Sequence, residues 1–347
     1  MSYSSAASIM SNDPAISRIG RFYITRELGR GTVGCVYLGH DPVMGRDVAI
    51  KTWNPRLTLI EKSIYKQQFL NEARAAGRLS HPNIVTIYDA SIENGATYIA
   101  MEYLQGQELN KLLDSGHRFT PDEVASVIWR IADALNHAHH NGVVHRDIKP
   151  ANIFMTNANQ PKLVDFGIAR APNRVNRTAG NVPDDQTHTI FQPNHLLGTP
   201  NYMSPEQALG QPVDARTDIY SLGAVMYEML VGQKPFQSDD TDKLLNLIAY
   251  KTPTAPHKAV PGIPPALSQI VKKAMSKRVE KRYQTAEEMA LDIKRYLRRA
   301  RRHMKIPMPV AEKHQAEAMP LGRRFLFWGG YLSFLAAAAI TAFILWR

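Results

Sequence analysis

Among the 347 residues there is one cysteine, Cys35. No disulfide can form within the chain, so the fold must rest on a packed core, and a reducing compartment is the expected setting. A secretory signal is missing as well: residues 1–11 are rich in Ser and Ala, with neither a basic start nor an apolar stretch. Internal repeats are absent, which excludes solenoids and propellers. Apolar residues are not scarce, at 44% with 21% charged, which excludes wholesale disorder. The chain's basic cluster lacks interleaved stacking aromatics, so nucleic acid is not an expected partner.

That cluster holds most of the net charge of +11: from Lys294 to Arg324 there are ten Lys/Arg against two Asp/Glu. Phe325 to Trp346 follows as 22 residues without a charge. As a helix they would rise about 33 Å, the thickness of a bilayer's hydrocarbon core. Trp328, Tyr331 and Trp346 suit the two interfaces. A buried core helix is the other reading, though core helices seldom run so long uncharged. Arg323 and Arg324 abut the run, with Arg298, Arg299, Arg301, Arg302 and Lys305 upstream, against Arg347 alone on the far side. The expectation is a single-pass protein of the inner (cytoplasmic) membrane, its folded domain in the cytoplasm, with membrane lipid as a partner of the helix and basic stretch. The expected parts are a flexible leader (1–21), a folded domain (22–297), a basic juxtamembrane linker (298–324) broken by Pro307, Pro309 and Pro320, and a transmembrane helix (325–346).

Within the folded part, Phe22 to Val36 reads as two strands joined by a Gly-rich turn, and Val48-Ala49-Ile50 as a short strand. Ile60 to Leu79 reads as a helix with Phe69, Glu72, Ala76 and Leu79 on one face. Thr120-Pro121-Asp122-Glu123 has the cap, proline and glutamate of a helix start, and Asn141-Gly142 ends that helix. Ile219 to Val231, apolar nearly all round, predicts a buried central helix closed by Gly232. Strands first and helices after predict an α+β arrangement of two lobes. Residues 173–194 form a long polar loop of the kind that is usually functional.

Gly29-x-Gly31-x-x-Gly34 fits two sites. A dinucleotide fold needs a helix after it, whereas Cys35 to Leu38 reads as a second strand, which favours a flap whose amides face phosphates. Lys51, at a strand end, reads as a surface lysine until set beside Glu72, whose carboxylate on an apolar stripe needs a cation. The pair would aim the lysine at nucleotide phosphates. In His145-Arg146-Asp147-Ile148-Lys149-Pro150-Ala151-Asn152, Asp147 would accept a hydroxyl proton and Lys149 would neutralise a transferring phosphoryl group. Asn152, with Asp165 of Asp165-Phe166-Gly167, would ligate magnesium.

These motifs, in this order, resemble the signature set of the protein kinases, and more closely the bacterial Hanks-type (eukaryotic-like) Ser/Thr kinases, over Phe22 to about Leu297. The resemblance implies a bilobal protein-kinase fold, with a small β-rich N-lobe (22–104) and a larger helical C-lobe (105–297), and Mg2+-dependent transfer of the ATP γ-phosphoryl group to proteins in membrane signalling. Mn2+ would be a substitute metal. Leu28, Gly29, Gly31, Gly34, Val36, Ala49 and Lys51 would enclose the nucleotide, with Met101 as gatekeeper and Glu102-Tyr103-Leu104 as the hinge whose backbone bonds adenine. Asp147, Lys149, Lys51, Glu72 and Thr199 would form the catalytic set, Thr199 bonding Asp147 and Lys149. Asp147-x-Lys149 with Gly198-Thr199-Pro200 implies Ser/Thr acceptors, and Ile168 a preference for threonine. Ser204-Pro205-Glu206 departs from the usual Ala-Pro-Glu. Asp218 resembles the aspartate that anchors the catalytic loop, and Arg282 the arginine that pairs with Glu206. Homodimerisation through the small lobes is implied by analogy.

Arg146 and Arg170 would gather round an anion, and phosphorylation of Thr187 or Thr189 (Thr178 being further from Thr199) would supply it. His137, His139 and His140 read as packing or surface residues, and Cys35 as a plain strand residue or an oxidation-sensitive thiol. Two other functions compete: a membrane-tethered pseudokinase scaffold that binds nucleotide without efficient catalysis, and a nucleotide sensor with no protein substrate.

Overall fold

The computed structural model describes residues 18–31, 34–53, 73–93, 96–166 and 200–303. Six antiparallel strands form the first lobe: β1 (Arg18–Ile19), β2 (Phe22–Gly31), β3 (Gly34–Asp41), β4 (Arg46–Trp53), β5 (Ile87–Glu93) and β6 (Ala96–Glu102), in the order β1-β2-β3-β4-β6-β5. Alternation along β4 sends Val48 and Ile50 into a small core with Ile19, Phe22, Tyr98 and Ala100, while Ala49 faces the other way. The sheet begins inside the expected leader: β1 pairs with the start of β2, and Arg21 holds Asp41 and Asp89.

The second lobe carries a three-stranded sheet, β7 (Gly106–Glu108), β8 (Ile153–Thr156) and β9 (Pro161–Leu163), among helices. The helix Pro121–His140 starts where its capping box predicts. Thr120 accepts from the Glu123 amide, and Glu123 reaches back to the Thr120 amide. The helix Arg216–Val231 is buried nearly throughout and stops at Gly232, whose φ of 78° completes a left-handed cap. Helices Thr241–Tyr250 and Pro265–Ala274 pack around it, and the amphipathic Ala286–His303 ends the described chain.

One expectation is corrected. No helix among the described residues is long and apolar enough to cross a membrane. The apolar Arg216–Val231 has 16 residues, a rise of about 24 Å against a core of about 30 Å. The longer Pro121–His140 and Ala286–His303 are amphipathic, with Arg130 and Asp133 on one and Lys294, Arg295 and Arg298 on the other. Over the described residues the fold class is therefore bilobal α+β, with no transmembrane helix among them. The single-pass membrane localisation and the membrane-lipid partner are corrected with it, since the described residues hold no spanning element. The stretch 325–346 lies outside the described residues, as do the linker from 304 onward, Glu72, Gly167, Ile168, Arg170, Thr178, Thr187, Thr189 and Thr199.

Candidate active site

The glycine-rich segment lies on two antiparallel strands, β2 ending at Gly31 and β3 starting at Gly34. β2 and β3 pair from Tyr23↔His40 to Gly31↔Gly34, with Gly29 opposite Val36. No helix follows it, so the dinucleotide alternative is excluded. Cys35 is an ordinary ladder residue, its amide and carbonyl both bonded to the Thr52 hydroxyl.

Beneath the flap lies an apolar pocket floor. Ala49 on β4, Met101 at the end of β6 and Val85 are buried together, with Val36, Leu104 and Val164 packed against them. A flat apolar ring would be sandwiched there, next to the hinge backbone at 102–104. Four of these six were expected from the sequence. Val85 and Val164 were not, because each sits on a short connection with no periodicity to place it. Leu28 is more exposed than the rest, at 36%, because a bulge between Glu27 and Gly29 lifts it from the ladder.

Lys51 pairs across β4 with Val36 and Ile99, which aims its ammonium into the cleft, where Nζ lies 2.8 Å from Asp165 Oδ1. Desolvation pushes the Asp165 carboxyl up, but Lys51, with His145 and Lys149 behind it, outweighs this and holds it below the usual carboxylate range. Asp165 is thus an anion at neutral pH.

The stretch from His145 to Asn152 converges on the same cleft. Asp147 Oδ2 accepts from Lys149 Nζ at 2.8 Å and from Asn152 Nδ2 at 3.1 Å. Asn152 Nδ2 also donates to the Asp147 carbonyl at 2.8 Å, which turns the amide oxygen away from Asp147. The Val164 amide donates to the Asn152 carbonyl at 3.0 Å, so the residue before Asp165 is tied to Asn152. One carboxylate and one amide oxygen are hard donors of the kind magnesium takes alongside phosphate oxygens. Among the described residues no cluster of three or more His/Cys/Asp/Glu is placed to hold a metal ion.

Arg146 and Asp165 have φ of 64° and 58°, a left-handed backbone that costs about 1–3 kcal/mol per non-glycine residue. The buried Asp218 stabilises the first: its carboxylate accepts the amides of His145 (2.8 Å) and Arg146 (2.7 Å). It also meets His139 Nε2 at 2.8 Å. Desolvation raises the Asp218 carboxyl, and His139 and the loop amides lower it further, for a net depression. His139, read from sequence as packing or surface, is part of the loop's anchor. A histidine near a helix end, one of three there, gives no sign of a partner 79 residues on. His145 is itself buried, bonded to the Val164 carbonyl at 3.1 Å, with its ring tilted against that of Phe166, centroids 4.7 Å apart.

The Ser204-Pro205-Glu206 departure has a physical account. Ser204 caps the turn Pro205–Ala208, and Gln207 completes the capping box while donating to the Arg146 carbonyl at 2.9 Å. Glu206 forms the expected buried pair with Arg282, two parallel bonds of 2.8 and 2.7 Å, and accepts from Thr217 at 2.7 Å. Arg146 Nε is buried without a partner among the described residues.

A family model described as protein kinase domain matches residues 22–292. A probable serine/threonine-protein kinase of Streptomyces coelicolor is 40% identical over 278 residues, covering 79% of this chain and 39% of that protein. The serine/threonine-protein kinase PrkC of Bacillus subtilis is 37% identical, covering 79% and 40% respectively. The chain thus spans about 40% of the length of these relatives. The crystal structure of the Mycobacterium tuberculosis PknI kinase domain shares the fold, with a TM-score of 0.61 at 23% identity, covering 85% of this chain and 99% of that one.

Proposed function

The chain belongs to the protein kinase family, with bacterial serine/threonine kinases among its relatives, and from that premise we propose that it transfers the γ-phosphoryl group of ATP to serine and threonine hydroxyls of proteins, its own activation loop included. The observation that carries the reading is the Asp147 carboxylate, bonded by Lys149 and Asn152 in a loop anchored on Asp218, opposite the Lys51–Asp165 pair.

Adenine lies between Ala49 and Val36 above and Leu104 and Val164 below, bonded to the hinge backbone. The glycine flap covers the phosphates, and Lys51 orients them. Magnesium, held by Asn152 and Asp165, neutralises phosphate charge when bound. Asp147 orients the acceptor hydroxyl and takes its proton as the new O–P bond forms and the bond from the γ-phosphorus to the β,γ-bridging oxygen breaks, with ADP as the leaving group. Lys149, already on the Asp147 carboxylate, stabilises charge on the transferring group. The same reading assigns Thr199 to bonding Asp147 and Lys149, Glu72 to steadying Lys51, and a phosphate on Thr187 or Thr189 to pairing with Arg146, all four lying outside the described residues.

The experiment is incubation with γ-labelled ATP and Mg2+, followed by phosphoamino-acid analysis and peptide mapping. Label on serine or threonine, with part of it in 171–199, is expected. Nucleotide binding with no transfer would replace this reading with the scaffold one, against which stands the presence of Lys51, Asp147 and Asp165 together.

A further inference from the structure

The hinge is held from behind by a charged pair. Alternation along β6 sends the Met101 side chain into the apolar pocket and that of Glu102 to the opposite face. There Glu102 Oε2 meets Lys162 Nζ of β9 at 2.8 Å. The carboxylate also accepts the Thr86 amide at 3.3 Å, and the Glu102 amide donates to the Thr86 carbonyl at 2.8 Å. Lys162 and Glu102 are only 16% and 27% exposed.

Glu102 ends the first lobe's sheet and Lys162 lies in the second lobe's, so the pair spans the point where the chain crosses between them. It sits on a continuous run of hydrogen bonds. The Val85 amide donates to the Leu163 carbonyl at 2.9 Å, the Leu163 amide to Asn83 at 2.8 Å and the Val164 amide to Asn152 at 3.0 Å. Asn83 Nδ2 adds a bond to the Pro161 carbonyl at 2.6 Å. The strand that Lys162 grips therefore leads, three residues on, to Asp165.

We infer that Glu102 and Lys162 are positioning residues for the adenine end of the site: their ion pair fixes the hinge backbone against β9, and so sets the distance from the adenine-bonding groups to Asn152 and Asp165. The inference rests on the kinase reading above. It assigns the hinge glutamate a side-chain task separate from its backbone's, and gives Lys162 a role outside the phosphoryl chemistry. Lys162 is remote from the reacting atoms, so losing it should loosen ground state and transition state alike, a uniform binding effect.

The test is titration calorimetry with adenosine and with MgATP, alongside kcat and KM. The proteins are wild type, Lys162→Met, Glu102→Gln and the exchange Glu102→Lys with Lys162→Glu. Lys162→Met should weaken adenosine and MgATP by the same factor, about fivefold, the worth of a partly buried ion pair. Its kcat at saturating ATP should stay within about twofold of wild type. The exchange should recover most of the affinity, which a mere packing role for either side chain would not allow. Wild-type affinity in a folded Lys162→Met, a loss confined to kcat, or an exchange no better than the single variants would overturn the inference. Wild type that binds neither adenosine nor MgATP would instead overturn the kinase reading on which it stands.

Discussion

Asp218→Asn tests the loop's anchor at a residue that touches no substrate. The carboxylate takes three donors: two backbone amides at 2.8 and 2.7 Å and His139 Nε2 at 2.8 Å. Asparagine keeps the shape but retains one acceptor oxygen, and its NH2 must face a donor. Bonds to a charged acceptor are worth about 1.5–3 kcal/mol each, and a buried amide left unpaired costs about 1–3 kcal/mol. The substitution should therefore cost about 3–5 kcal/mol, against which the loop can recover about 1–3 kcal/mol by releasing the left-handed backbone of Arg146. Release moves Asp147, the next residue. A displacement on the order of 1 Å at a reacting group costs about 100-fold in rate. We expect a melting temperature lower by about 5–10 °C and a kcat lower by about two orders of magnitude, with ATP affinity nearly unchanged. The assays are circular-dichroism melting, calorimetry and steady-state phosphoryl transfer. The Asp218 pKa is depressed in the folded state, so its stabilisation is complete above the unfolded value near 4 and is lost as pH falls through the folded one. The variant should accordingly show a shallower acid limb. Wild-type stability and turnover in Asp218→Asn would refute the reasoning.

Arg282→Met would leave Glu206 buried without its cation, a loss of about 3–5 kcal/mol at neutral pH. With Arg282 present the Glu206 carboxyl, raised by burial but lowered more by the guanidinium, sits below its usual range. Without it the group takes up a proton, so chemical denaturation should show the gap narrowing below about pH 5. Lys277, whose ammonium bonds the Ile248 carbonyl at 2.6 Å and the Tyr220 hydroxyl at 3.0 Å, is pushed down to about 8 by desolvation and by Arg282. From about pH 8 towards 10 the unfolded chain binds the extra proton, so stability contributed here rises with pH, and Lys277→Met should remove that rise from a series of melts.

Local signals made most of the site legible. The capping box at Thr120, the apolar helix closed by Gly232 and the alternation at Val48-Ala49-Ile50 each act over a few residues, and each element formed where expected. The Asp147, Lys149 and Asn152 cluster was readable because one tight loop holds all three. What was missed is nonlocal. Val85, Val164, His139 and Lys162 carry no motif and acquire meaning only when distant segments meet. Lys51 adds a nonlocal pairing of its own: its described partner is Asp165, while Glu72, the partner offered by the sequence, lies outside the described residues. The C-terminal apolar run was read by length and charge alone, and no described helix supplies the membrane span inferred from it.

The measurement that bears most directly on the central claim is single-turnover transfer from γ-labelled ATP in Asp147→Asn, with ATP affinity measured on the same protein. The substitution removes the carboxylate's charge and proton-accepting capacity while leaving an oxygen for Lys149 and Asn152. The account predicts transfer lower by about two to four orders of magnitude, unchanged ATP affinity within about threefold, and an unaltered melting curve. Transfer near the wild-type rate in a folded Asp147→Asn would contradict it.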